Sequence, residues 1–274
     1  MAIEVIDDIG RSVKLEKPAK RIISLAPHVT ENLFAAGVGH LIVGAVNYSD
    51  YPEKAKTIPQ VGGYNNFNIE LILASQADLI IAWKEGNQKQ QVEKLISLGM
   101  TVYISDPVKL EDVARSIKHF GVLTGENIIA DKASSDFLSK LTSLREQYRQ
   151  LEKVSVFYQT WNVPLITVNE SQSIGQVIKL CGGKNVFAEL DTLTPQVSIE
   201  AVIASNPTTI IASGMNQSRP EWLDDWKKWG FLSAVKQDHL FFVPPDIIQR
   251  HSPRILQGAQ MICEYLQQAR NTVN

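Results

Sequence analysis

Five histidines, His28, His40, His119, His239 and His251, carry the side chains best suited to metal or acid–base chemistry. None stands in HExxH or at another close ligand spacing. A metal centre would need three dispersed histidines to converge in the fold, making the chain a metal-dependent enzyme or chaperone. There is no GxSxG elbow, no phosphate-binding P-loop and no GxGxxG after a strand pattern. Gly62-Gly63-Tyr64 has the composition of a turn rather than a phosphate cradle. Nothing pairs a nucleophile with a base, so binding outranks catalysis.

The aromatic residues point the same way. Tyr48 and Tyr51 follow an apolar run over 42–46, Trp83 closes the run over 79–83, and Trp161 follows the run over 154–159. Tyr64 stands in a loop ahead of a helical segment. In parallel α/β sheets, ligands bind at the carboxyl ends of the strands. Aromatics there offer broad apolar area with polar tips, which suits a large, flat or amphipathic ligand. Loop packing is the alternative for each and the better fit for Tyr51; Trp83 favours the ligand. Asp246 and Arg250 lie four apart beyond the run over 240–243. Either they pair with each other, or they offer a ligand one acceptor and one forked donor.

The elements that must position these residues alternate. The segment 5–15 has the pattern of a small hairpin, and a buried strand over 21–25 is broken by Pro27. A helix follows from Thr30, its N-cap, with Gly37 past its end. Strands over 42–46, 79–83 and 101–105 then alternate with helices over 69–75 and 88–98. Beyond residue 153 the alternation resumes, with strands over 154–159, 209–212 and 240–243. Helices there cover 174–180, 199–205, a Trp-rich segment (Trp222, Trp226, Trp229) over 221–229, and 253–269. This order predicts an α/β fold with two mostly parallel sheets covered by helices. Between the halves, apolar residues recur every three to four positions over 127–152 without Gly or Pro. That spacing predicts one helix of about 37 Å, either a stiff connector or an ordinary surface helix.

Residues 69–82 align without gaps on 199–212, and seven of these fourteen positions are identical. Asn68 and Ser198 precede the copies as N-caps. The repeat predicts two related lobes, each with a capped short helix, a tight connection and a buried strand. It also places Glu70 and Glu200 in matching first helical turns, where the helix dipole favours a carboxylate. Duplication allows a second role, as two equivalent acidic knobs for a two-fold symmetric partner.

Bulk properties set the limits. The 274 residues are 44% hydrophobic, and 27 basic residues stand against 29 acidic ones, which gives nucleic acid no basic surface. No apolar run reaches the roughly 18 residues of a membrane span. The amino-terminal residues lack a signal peptide, which by itself favours the cytoplasm, although a chain shorn of its leader begins the same way. Cys181 and Cys263 are either one structural disulfide or two buried thiols.

Several segments together carry a family resemblance. They are Arg21-Ile-Ile-Ser-Leu-Ala-Pro-His-Val-Thr-Glu31, Tyr48-Ser-Asp-Tyr-Pro52, Asn68-Ile-Glu70, Ala82-Trp83, Cys181-Gly-Gly-Lys-Asn-Val-Phe187, Pro195-Gln-Val-Ser198 and Ser252-Pro-Arg254. Over nearly its whole length the chain resembles the periplasmic binding proteins of cobalamin and iron-siderophore importers. The resemblance implies the class III fold: two Rossmann-like lobes joined by one long α-helix. The lobes would cover 21–124 and 153–274, with the bridging helix at 125–152 and an amino-terminal hairpin extension at 1–20. It implies that Pro27, Tyr48, Trp83, Asp246 and Arg250 line a corrinoid pocket between the lobes. Tyr64 falls where the family's cobalamin binders have a tryptophan, Thr194 falls where they have another, and Trp161 compensates from the same lobe. It further implies a Cys181–Cys263 disulfide, and docking of Glu70 and Glu200 onto arginines of an ABC transporter permease. A monomeric periplasmic carrier of cobalamin, with no catalytic activity or resident cofactor, is the expected function. A haem or ferric-siderophore carrier on the same scaffold is the alternative.

Overall fold

The computed structural model describes residues 3–215 and 217–273, save the side chain of Val273. The chain divides into two compact units. The first runs to Pro107 and takes in Glu111–Leu138; the second holds Val108–Leu110 and everything from Ser139 onward.

In the first unit, β1 (Ile3–Ile6) and β2 (Ser12–Leu15) form the expected antiparallel hairpin. A four-stranded parallel sheet follows, built from β3 (Ile22–Ser24), β4 (Ile42–Ala45), β7 (Leu79–Trp83) and β8 (Val102–Ser105) in the order β4-β3-β7-β8. Two-residue strands β5 (Gly62–Gly63) and β6 (Asn66–Phe67) make a small hairpin beside it. Helices α1 (Pro27–Ala35), α2 (Ile69–Ala74), α3 (Lys89–Ser97) and α4 (Asp112–Thr124) alternate with the strands. Ile23, Leu25, Ile72, Ile80, Ala82 and Leu95 form the centre of one of its apolar clusters, nearly all without solvent contact.

The edge of β8 does not face water. Asp8 N–H donates to the Ile104 carbonyl at 3.1 Å, and the Ile104 and Asp106 amides donate to the carboxylates of Asp7 and Asp8 at 3.2 and 2.7 Å. Covering an edge strand in this way removes a template for aberrant pairing. Asp8 also accepts from the Arg115 guanidinium at 3.0 Å.

Helix α1 starts three residues earlier than its sequence predicts. Pro27 occupies the first helical turn, where a missing N–H costs nothing and a fixed φ helps. Thr30 is therefore not a cap; its hydroxyl is buried against Ser24 Oγ at 2.8 Å.

Helix α5 (Asn127–Tyr148) begins in the first unit and ends in the second. At 22 residues it stops four short of its apolar pattern. In the second unit the order is β10-β9-β11-β12, again all parallel, from β9 (Val154–Gln159), β10 (Gly183–Asn185), β11 (Thr209–Ala212) and β12 (Leu240–Phe242). The helices are α6 (Ser173–Leu180), α7 (Ile199–Ser205), α8 (Ser233–Lys236), α9 (Pro245–Ile248) and α10 (Ile255–Val273). The Trp-rich segment Glu221–Lys228 is 3₁₀ rather than α. It is a core element: Trp226 is buried, its ring lies 5.6 Å from Phe157, and its Nε1 donates to Gln159 Oε1 at 2.7 Å.

The repeated segments adopt the same structure. Asn68 Oδ1 accepts from Leu71 N–H at 3.0 Å, and Ser198 Oγ accepts from Ala201 N–H at 3.2 Å. Each short helix then turns through a left-handed residue at the matching position, Gln76 (φ 50°) or Asn206 (φ 40°), and enters the third major strand of its sheet. Cys181 and Cys263 form a disulfide joining the end of α6 to α10.

Close packing of α6 yields a stability prediction. A Cβ at Gly175 would lie 2.0 Å from the Asn169 carbonyl oxygen, a backbone atom that cannot swing aside. Gly175→Ala is expected to destabilise the protein by about 3 kcal/mol through overpacking. Urea denaturation checks this, and an unshifted midpoint would contradict it.

Candidate functional site

In each sheet the chain lays down an inner strand, adds its next major strand on one side, then crosses to the other. This reversal creates a switch point, between β3 and β7 in the first unit and between β9 and β11 in the second. Crevices at the carboxyl ends of such strands are the usual ligand sites of open α/β sheets.

In the first unit, Pro27 and His28 leave β3, Trp83 ends β7, and Tyr64 sits in the β5–β6 loop. The Tyr64 and Trp83 rings lie 5.8 Å apart at 47°, and His28 meets Trp83 edge-to-face at 5.2 Å. Trp83 is thus supported from behind while remaining partly open, and Tyr64 is 37% exposed. Tyr48 follows β4 in a left-handed conformation (φ 65°) and is 69% exposed. Tyr51, expected from its sequence context to pack in its loop, is 43% exposed.

Two contributors escaped sequence reasoning. The sequence offers His28 only as a metal ligand, because its ring contact with Trp83 is tertiary. Asn87 is buried and donates to the carbonyls of Leu25 and Tyr64 at 2.9 and 2.6 Å, while accepting from Trp83 N–H at 2.6 Å. An asparagine four residues past Trp83 was the only available signal.

In the second unit, Trp161 follows β9. It bridges Ile166, donates its indole N–H to the Val163 carbonyl at 3.0 Å, and stays 36% exposed. Beyond β12, Asp246 in α9 and Arg250 just after it form an ion pair of 2.8 Å with side chains 26% and 13% exposed. Thr194 is exposed.

Glu70 and Glu200 both lie exposed in the first turns of α2 and α7. Hydrogen bonds from its own backbone N–H and from the Ser198 hydroxyl hold the Glu200 carboxyl below its ordinary range. It therefore stays ionised in mildly acid surroundings.

The histidines do separate work. His119 bonds Tyr103 at 2.9 Å, and burial lowers its pKa; His239 contacts the Thr208 carbonyl at 3.0 Å. Among the described residues, no three His, Cys, Asp or Glu side chains gather as a metal site. No helix among them is long and apolar enough to cross a membrane.

Residues 22–247 match the family model described as "Periplasmic binding protein". The chain belongs to the periplasmic binding protein family. Among relatives of this periplasmic binding protein, the vitamin B12-binding protein of Vibrio cholerae is 38% identical, with 91% of this chain and 90% of the relative aligned. That of Yersinia pestis is 33% identical, covering 90% and 86%. The crystal structure of periplasmic vitamin B12-binding protein BtuF of Vibrio cholerae superposes with a TM-score of 0.84 at 37% identity, covering 92% of this chain and 98% of that one. The periplasmic heme-binding protein RhuT from Roseiflexus sp. RS-1 gives 0.79 at 20% identity, covering 92% and 99%, a likeness of fold alone. The α/β class with two parallel-sheet cores, as expected from sequence, is the fold of this family.

Proposed function

We propose that this periplasmic binding protein captures cobalamin, vitamin B12 or a related corrinoid, and delivers it to the permease of an ABC importer. The carrying observation is the half-open Tyr64–Trp83 pair at the switch point of the first sheet, backed by His28. A corrin is a broad ring rimmed by neutral amides, and aromatic surfaces with polar tips suit it. Arg250 is already matched by Asp246, which fits a ligand rimmed by amides better than one presenting carboxylates. Relatives named for vitamin B12, aligned along nine-tenths of the chain, support the same ligand.

In this reading the ligand-binding residues are drawn from both units. Pro27, Tyr48, Tyr64 and Trp83 contribute from the first, and Trp161, Asp246 and Arg250 from the second. The protein acts as a monomer in the periplasm, and no bond of the ligand is made or broken. A haem or ferric-siderophore carrier is the second reading. Haem carboxylates would call for an unmatched cation where Asp246 now neutralises Arg250.

Calorimetric titration with cyanocobalamin tests the proposal, with haemin and a ferric hydroxamate as comparison ligands. One corrinoid per chain is expected. Absence of heat at micromolar protein, or tighter binding of haemin, would sink it.

Glu70 and Glu200 are the proposed transporter contacts, one per unit. Reversing both charges, Glu70→Lys with Glu200→Lys, should leave cyanocobalamin binding unchanged and cut delivery to the permease at least tenfold. Delivery by the parent protein should also weaken as salt rises. Unimpaired uptake in vesicles carrying the transporter would refute the docking role.

A further inference from the structure

We infer that Asn87 is the positioning residue of the aromatic floor, holding Trp83 and Tyr64 in their ligand-ready arrangement before any ligand arrives. The inference rests on the proposed corrinoid site, but part of its test needs no ligand.

Trp83 and Tyr64 belong to different segments, and their rings touch only at a tilt of 47°. A contact of that kind does not fix two loops. The Asn87 carboxamide does. Its oxygen accepts from the Trp83 amide, one N–H goes to the Tyr64 carbonyl, and the other goes to the Leu25 carbonyl just ahead of Pro27. Its own backbone N–H returns to the Trp83 carbonyl at 3.0 Å. One buried side chain thereby joins the three segments that carry Pro27, Tyr64 and Trp83. Both of its donors and its acceptor are engaged, the condition under which a buried polar group rigidifies its surroundings.

The preceding residue completes the device. A Cβ at Gly86 would lie 1.9 Å from the Trp83 ring. Only glycine lets the indole lie back over the 83–87 turn. Asp lacks both donors, Ala lacks all three groups, and Gln carries the same carboxamide one methylene further from the backbone.

A preorganised site captures ligand faster than one that must first assemble, because only the competent fraction can be entered, and apparent affinity falls with that fraction. If removing the carboxamide leaves about one molecule in ten competent, Asn87→Ala should bind cyanocobalamin about tenfold more weakly. The loss should fall on the association rate, with dissociation nearly unchanged. Trp83→Ala, which removes a contact, should instead speed dissociation. Asn87→Asp should bind at least as poorly as Asn87→Ala, since its carboxylate would face two carbonyl oxygens.

Asn185 is the control, equally buried, with two hydrogen bonds in the second unit. Asn185→Ala should lower the melting temperature comparably and leave association untouched. In the ligand-free protein, the Trp83 indole N–H resonance, assigned through Trp83→Phe, should broaden or shift in Asn87→Ala and stay fixed in Asn185→Ala. An unaltered resonance, an association rate within twofold of the parent, or an equal loss in Asn185→Ala would overturn the inference. A parent protein that fails to bind cyanocobalamin, yet shows the resonance change, would defeat the corrinoid proposal and leave Asn87's role standing.

Discussion

Trp83→Ala is expected to weaken cyanocobalamin binding by about 2 kcal/mol, roughly 30-fold, as expected for a central aromatic anchor. Trp83 ends β7, touches both Tyr64 and His28, and has its backbone held by Asn87. The indole is therefore a fixed surface that loses little freedom when covered. Trp83→Phe keeps most of the apolar area and should retain most of the affinity. Calorimetry measures both variants, and the second keeps the result from being mistaken for general damage. Alanine within threefold of the parent would remove Trp83 from the site.

The second large effect concerns stability. Cys181 and Cys263 are 82 positions apart and wholly buried. Closing a loop of that length restricts the unfolded chain by about 4 kcal/mol in the entropic account. The Cys181→Ala, Cys263→Ala protein should lose stability on that order, visible as a lower denaturant midpoint, with a raised m value because the unlinked chain unfolds to a more open state. Alanine is the suitable replacement because serine would bury two hydroxyls. Binding to the surviving folded fraction should persist, since the bridge joins α6 to α10 and the proposed ligand residues belong to other segments. An unmoved midpoint would show that packing of α6 on α10 suffices alone.

Much of this architecture was legible because the signals were local. Alternating apolar runs, Asn68 and Ser198 ahead of matched helices, and the unbroken period after Asn127 each report on nearby residues, and each element formed. Misplacements came where a distant partner or a short element decided. Pro27 looked like a break, but the start of α1 needs only its φ. The strand Gly183–Asn185 is three residues long, begins at a glycine, and exists because β9 pairs with it. The Trp226 segment signalled apolar burial without revealing that its N–H meets Gln159. Of the candidate site, the aromatics at strand ends were readable from type and place. Their support was not, since Asn87 acts through the carbonyls of Leu25 and Tyr64, which no periodicity reports.

The hairpin on the edge of β8 bears on the order in which the chain can mature. Asp7 is held locally by Arg11, but Asp7 and Asp8 also accept from Ile104, Asp106 and Arg115, about a hundred positions later. During vectorial synthesis the amino-terminal strands have no complete docking surface until β8 and α4 have followed. The hairpin is therefore among the last parts of the first unit to find its place.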